Sequence, residues 1–341
     1  MNTPARALFP FVASIALLGC SSGRRSDPPT PETMKQTGQV QANGITIAYE
    51  SFGPSDRETV LLIMGNGTQL TAWPIELCEE LVKRGYRVVI YDNRDVGLST
   101  KFTEAGTPDV NAVVEARIAG KPSPLPYTLD DMAKDAVGLL DALAIEKAHI
   151  VGVSMGGMIA QLVAADHPEH TLSLTSIMST SGNPSIPFPA KPEAIAKMPH
   201  GAADDREANI ANAVKMIQIL AGPVYPPDEK RVRDLVIHSM NRSSDRAGMA
   251  RHNALSALGL FEDRRAKLKT IKAPTVVVHG AEDPLISVEG GKDTARNIPG
   301  AELRILPGMG HDLPIPLIEV IADAISSAAS RGEAAKRAEK E

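Results

Sequence analysis

Thr59-Val60-Leu61-Leu62-Ile63-Met64 is apolar at every position after the first, and the pattern recurs along the chain. Arg87-Val88-Val89-Ile90-Tyr91, His149-Ile150-Val151-Gly152-Val153, Leu172 to Met178, Thr275-Val276-Val277-Val278-His279 and Glu302-Leu303-Arg304-Ile305-Leu306 repeat it, and the strand-like Ile45-Thr46-Ile47-Ala48-Tyr49 precedes them. A strand that is apolar on both sides must be covered on both faces, as parallel sheets in α/β proteins are. Helical periodicity separates the runs over residues 73–84, closed by Gly85, over 129–143, and over 155–165, which stops before Pro168. A last helix is expected from about Ile315 to Ala329. The alternation predicts an α/β fold with a mostly parallel sheet and helices on both faces.

One interval breaks the alternation. Residues 183–272 hold no buried strand pattern but are rich in proline, and helical patterns lie near 206–220, 230–240 and 248–260. The expected division is therefore a core of residues 40–182 and 273–330, a helical cap over 183–272, and a charged tail over 331–341 that reads as a fraying, solvated helix end. The cap leaves the core after one parallel strand and returns before the next, so it must emerge at the edge of the sheet where ligands bind in open α/β folds. Its apolar residues, among them Met216, Leu220, Met249 and Leu258, are expected to line part of a pocket.

Composition removes several function classes. A chain of 341 residues with 43% hydrophobic and 23% charged content can bury a core, and its net charge of −5 leaves no basic surface for nucleic acid. Two cysteines cannot build a disulfide framework, and no Cys/His cluster has zinc spacing, so no metal ligands are expected.

The amino terminus reads separately. Arg6, an apolar stretch from Ala7 to Leu18 and then Gly19-Cys20 form a segment too short to span a bilayer but suited to a signal peptide over residues 1–19. Leu17-Leu18-Gly19-Cys20 resembles a bacterial lipoprotein box, which implies a lipidated Cys20 as the first mature residue and an exported protein of the cell envelope. The membrane would then be reached through Cys20 alone. Without Asp after Cys20, a Gram-negative host would send it to the outer membrane. Residues 20–39, rich in proline and serine, are expected to be a tether, and Cys78, in an apolar-periodic segment, a buried thiol.

Gly152-Val153-Ser154-Met155-Gly156 matches G-x-S-x-G, in which a tight strand-to-helix turn lifts a serine hydroxyl clear of the sheet. Gly19 to Gly23 also matches, but with no strand before it or helix after it. A serine hydroxyl needs a base to take its proton and an acid to orient that base. His311, in the glycine-rich loop after the last apolar run, is the expected base. The other seven histidines, with His149 and His279 inside strand runs, are assigned structural roles. Asp283 is the expected acid: it follows the strand ending at His279, its side chain is short, and Pro284 braces it. An oxyanion would need two backbone N–H donors, expected from Met155 and, in the Gly65-Asn66-Gly67 loop, from Asn66.

On these residues the chain resembles an α/β-hydrolase from about Val40 to Ala329. It is similar to the bacterial carboxylesterases grouped with aclacinomycin methylesterase and lipase-G-type esterases. That likeness rests on Leu62–Gly67, Tyr91–Ser99, the Ser154 turn, and Arg242, Gly248 and Arg251. Many relatives carry His-Gly before the oxyanion residue, where this chain has Met64-Gly65. The resemblance implies hydrolysis of a small-molecule ester without a cofactor, and a structural role for residues 92–99. An aspartate nucleophile would have pointed to a dehalogenase or epoxide hydrolase. A perhydrolase or carbon–carbon hydrolase would use the same three residues, and a surface lipoprotein that only binds a ligand is the alternative from another class.

Overall fold

A computed structural model describes residues 35–199 and 205–338. Eight strands, β1 (Gln36–Ala42), β2 (Ile45–Phe52), β3 (Thr59–Ile63), β4 (Arg87–Tyr91), β5 (Ala148–Val153), β6 (Thr171–Ile177), β7 (Thr275–Gly280) and β8 (Glu302–Leu306), form one sheet in the order β1-β2-β4-β3-β5-β6-β7-β8. β2 runs antiparallel to both of its neighbours, β1 and β4, and every other pair is parallel. The helices, in chain order, are α1 (Ile75–Lys83), α2 (Val110–Ile118), α3 (Leu129–Ala142), α4 (Met155–Asp166), α5 (Pro192–Ile195), α6 (Arg206–Leu220), α7 (Glu229–Arg242), α8 (Arg246–Gly259), α9 (Arg265–Leu268), α10 (Val288–Asn297) and α11 (Ile318–Ala338). Among the described residues no helix is long and apolar enough to cross a membrane.

The continuous apolar runs are explained by the period of two along a strand. Leu61 and Ile63 of β3 enter the core under α3 and α4, whereas Val60 and Leu62 enter the core that α1 and α11 cover. The cap has a small core of its own, with Ile210 and Val214 of α6 against Val232 and Val236 of α7.

Three boundaries differ from the sequence expectation. β1 begins at Gln36, so the tether cannot extend to residue 39; this edge strand is mostly polar and exposed, and no apolar run announces it. The hairpin that pairs it with β2 turns at Asn43-Gly44, both with positive φ, and Asn-Gly is a hairpin signal. The cap also ends before residue 272, because Leu268 and Ile271 are buried in the main core and the Arg264 N–H donates to Ser181 O. Finally, α11 runs past the expected end near Ala329 to Ala338, and the tail continues it as the helix end its sequence suggests.

Candidate active site

β3 lies between β4 and β5. The chain therefore leaves β3 toward one side and later returns to the other, which opens a crevice beyond the carboxyl ends of β3 and β5. Gly65 stands at one wall and Ser154 at the other: a Cβ on Gly65 would lie 3.1 Å from the Ser154 Cβ.

Ser154 occupies the junction of β5 and α4 with φ 56° and ψ −124°, a conformation that a residue with a Cβ adopts only under constraint. The constraint is packing. A Cβ on Gly152 would lie 2.1 Å from Gly156 O, and one on Gly156 would lie 2.1 Å from Ile63 O. Both glycines are thus required for α4 to start so close to the sheet. The Ser154 N–H donates to Ile177 O at 2.9 Å, fixing the turn from the β6 side. Met155 is the first residue of α4, so its N–H is among those a helix leaves unpaired.

The structure brings the three predicted side chains into one hydrogen-bonded row. His311 Nε2 lies 3.0 Å from Ser154 Oγ, and His311 Nδ1 lies 2.8 Å from Asp283 Oδ2. Asp283 Oδ1 accepts from the Leu285 and Ile286 N–H groups at 2.8 and 2.9 Å. Burial alone would raise the Asp283 carboxyl, but His311 and His279 outweigh it and hold the group well below the usual carboxylate range. The neighbouring Glu282 turns away to pair with Lys191 at 2.7 Å. Asp312 is different: burial pushes its carboxyl up to about 6 against the pull of the Gly310 and Gly222 amides.

The remaining described histidines divide by partner. His149 contacts Ser173 Oγ at 3.0 Å and Glu58 at 3.2 Å, but Ser173 is buried, so this second Ser-His-Glu row offers no accessible hydroxyl. His279 Nε2 is 3.0 Å from Ile286 O and 3.3 Å from Asp283 Oδ2, which makes it a buttress of the acid loop. His252, on α8, reaches the Gly67 N–H at 3.1 Å, a contact that sequence reasoning did not find because its partner lies 185 residues away.

The loop over 92–99 is a clasp for the cap. Asp92 accepts from the Leu70 and Leu98 N–H groups and from Arg242 Nη1 at 2.6 Å, and Asp95 receives both Nε and Nη2 of Arg251. Asn93 Nδ2 donates to Met64 O at 2.9 Å, so the same loop also supports the turn after β3. The cap meets the site from the other side as well, where the His311 N–H donates to Leu220 O at 2.8 Å. Of the apolar cap residues named above, Met249 lies over Gly67, Leu258 packs on the main core, and Met216 is exposed. Cys78 is buried in the core, and burial, reinforced by Glu50 and Glu79, pushes its thiol up to about 12. Cys20 and the second G-x-S-x-G match lie outside the described residues.

Comparison with known proteins shows the family. The family model for the alpha/beta hydrolase fold matches residues 58–316, which spans the sheet from β3 to β8 and all three side chains of the row. The chain belongs to the α/β-hydrolase family. Within it, the chain is 28% identical over 310 residues to rhodomycin D methylesterase DauP of Streptomyces sp. (strain C5), covering 85% of this chain and 96% of that one. It is 26% identical over 270 residues to the 2-hydroxy-6-oxononadienedioate/2-hydroxy-6-oxononatrienedioate hydrolase of Paraburkholderia phymatum (strain DSM 17167 / CIP 108236 / LMG 21445 / STM815), covering 78% and 85%. Among solved structures, a membrane phospholipase A superposes with TM-score 0.65 at 22% identity, covering 88% of this chain and 87% of that one, a likeness of fold. Family membership makes this chain a hydrolase, and its relatives act on more than one kind of bond.

Proposed function

We propose that this α/β-hydrolase cleaves carboxylic esters through an acyl-enzyme formed on Ser154. The observation that carries the reading is the Ser154–His311–Asp283 row, in which the two ring nitrogens of His311 lie within hydrogen-bond distance of the serine hydroxyl on one side and the carboxylate on the other. With its Nδ1 proton donated to Asp283, His311 presents a basic Nε2 to the serine hydroxyl. Ser154 Oγ attacks the ester carbonyl carbon as its proton passes to Nε2. The resulting oxyanion is met by the N–H groups of Met155 and Asn66. Collapse breaks the carbon–oxygen bond to the alcohol, which departs with the proton from Nε2. Water then repeats the sequence on the acyl group, giving the carboxylic acid and free serine. Similarity to a methylesterase over nearly the whole of that relative supports the ester as substrate.

A fluorophosphonate probe tests this directly. One adduct per chain, mapped to Ser154 and absent from Ser154→Ala, is the expected result. Labelling elsewhere, or none in folded protein, contradicts the reading.

We propose in addition that the protein is exported and held at a membrane by a lipidated Cys20, on the strength of Leu17-Leu18-Gly19-Cys20 and the short apolar segment before it. Mass spectrometry of the native amino terminus should find mature protein beginning at a diacylated Cys20, and Cys20→Ser should leave the detergent phase. A mature chain that begins elsewhere and carries no lipid would overturn this.

A further inference from the structure

The turn after β3 is held mainly by the cap. Gly65 O accepts from the Thr68 N–H at 3.4 Å, which closes a four-residue turn with Gly67, at φ 62°, as its third residue. A φ of 62° lies in the left-handed region, which favours glycine, and a Cβ at Gly67 would lie 2.0 Å from the Met249 sulfur. Closing the turn leaves the Gly67 N–H without a partner inside it, and His252 Nδ1 accepts it at 3.1 Å. The other ring nitrogen, Nε2, donates to Arg94 O at 2.7 Å, which fixes the tautomer as Nδ1 acceptor and Nε2 donor. His252 is fully buried, and burial lowers its pKa to about 4, so the ring stays neutral and able to accept at ordinary pH.

His252 does not act alone. Met249, His252 and Asn253 stand at i, i+3 and i+4 and therefore share one face of α8. Asn253 Oδ1 accepts from Asn66 Nδ2 at 2.8 Å, and the Met249 side chain fills the space where a Cβ on Gly67 would be. At the far end of the loop, Gln69 Nε2 donates to Ser239 O and Ser243 O, and Gln69 Oε1 accepts from Arg242 Nη1. Every residue from Asn66 to Gln69 except Thr68 thus contacts α7, the residue after it, or α8.

We infer that His252 is a positioning residue for the reaction: by taking the Gly67 N–H it sets the conformation of the turn and hence the place of the Asn66 N–H, which follows directly on Gly65, the residue packed against Ser154. The cap is then part of the catalytic framework, and covering the site is only one of its tasks. This rests on the ester-hydrolase reading above, since it assigns the Asn66 N–H to the oxyanion.

The test is steady-state kinetics on a short-chain aryl ester, with active sites counted by fluorophosphonate labelling so that unfolded protein drops out. His252→Ala should lower kcat per labelled site by about 10- to 100-fold and leave KM within about threefold, because a displaced oxyanion donor acts on the transition state. His252→Gln can accept through its amide oxygen and donate through its amide nitrogen, and should recover most of the loss. A folded His252→Ala variant whose kcat stays within threefold of wild type overturns the inference, as does a loss that appears only in KM. If His252→Ala does not fold, the wild-type protein decides. The imidazole nitrogen resonances of His252 should shift when the phosphonyl adduct forms on Ser154, and unchanged resonances overturn the inference. The two readings fail differently: an unlabelled wild-type Ser154 removes both, whereas a labelled wild type beside an unimpaired His252→Ala removes this one alone.

Discussion

Arg251 and Asp95 face each other through two hydrogen bonds, 2.7 and 2.8 Å long, with both side chains buried. One belongs to cap helix α8 and the other to the loop after β4, so the pair joins cap to core. Removing one member of a buried pair strands the other charge, which costs about 3–5 kcal/mol. Arg251→Ala should therefore unfold at markedly lower denaturant than wild type, and the double variant Arg251→Met with Asp95→Leu should recover much of the difference. Denaturant titration of the three proteins checks this. A single variant as stable as wild type would show that the clasp does not hold the cap.

The backbone at Ser154 makes a separate prediction. Its φ of 56° costs about 1–3 kcal/mol for a residue with a Cβ and nothing of that kind for glycine. Ser154→Ala and Ser154→Gly both lose the hydroxyl, but only glycine relieves the strain. After the larger entropy of an unfolded glycine is counted, Ser154→Gly should be more stable than Ser154→Ala by about 1 kcal/mol. Equal melting temperatures would mean that the turn stores no strain.

A third prediction concerns pH. His252 has a folded-state pKa of about 4, below its ordinary value near 6.5, so the group contributes stability that is fully present above about pH 6.5 and is lost as pH falls through about 4. Asp95, Arg251 and Lys101 are the charged groups around it. Chemical denaturation at several pH values should give wild type a steeper loss of stability between pH 6.5 and 4 than His252→Gln, by up to about 1.4 kcal/mol per pH unit. Parallel profiles would mean that His252 does not titrate with unfolding.

Much of this fold is legible in the sequence because a parallel sheet covered on both faces needs continuous apolar runs, and β2 to β8 carry strand patterns. β1 is the exception for the same reason, since an antiparallel edge strand facing water has no such run to show. The helix α10 also escapes notice: it is short and polar, and its Gly290 and Gly291 lie against Thr180 and His279, so it is held by close approach and has few apolar contacts. The positions of Ser154, Asp283 and His311 at strand ends could be read because each follows a recognisable run. The choice of Asp283 over Glu282 rested on side-chain length, and the structure places Asp283 against His311 and Glu282 against Lys191. What could not be read is the part played by α8. Its hydrogen bonds to Asn66 and Gly67 in the turn after β3 join residues far apart in sequence one bond at a time, and no local pattern encodes such a partner.

If Ser154 is the nucleophile of an ester hydrolase, turnover cannot survive the loss of its hydroxyl. Turnover of a short-chain aryl ester by wild type, Ser154→Ala, His311→Ala and Asp283→Asn tests it most directly, because members of such a row act as a unit. The serine and histidine variants, folded as wild type, should each lose up to about 10⁶-fold in kcat, and the aspartate variant somewhat less. A folded Ser154→Ala protein that retains more than about a tenth of wild-type turnover would contradict it.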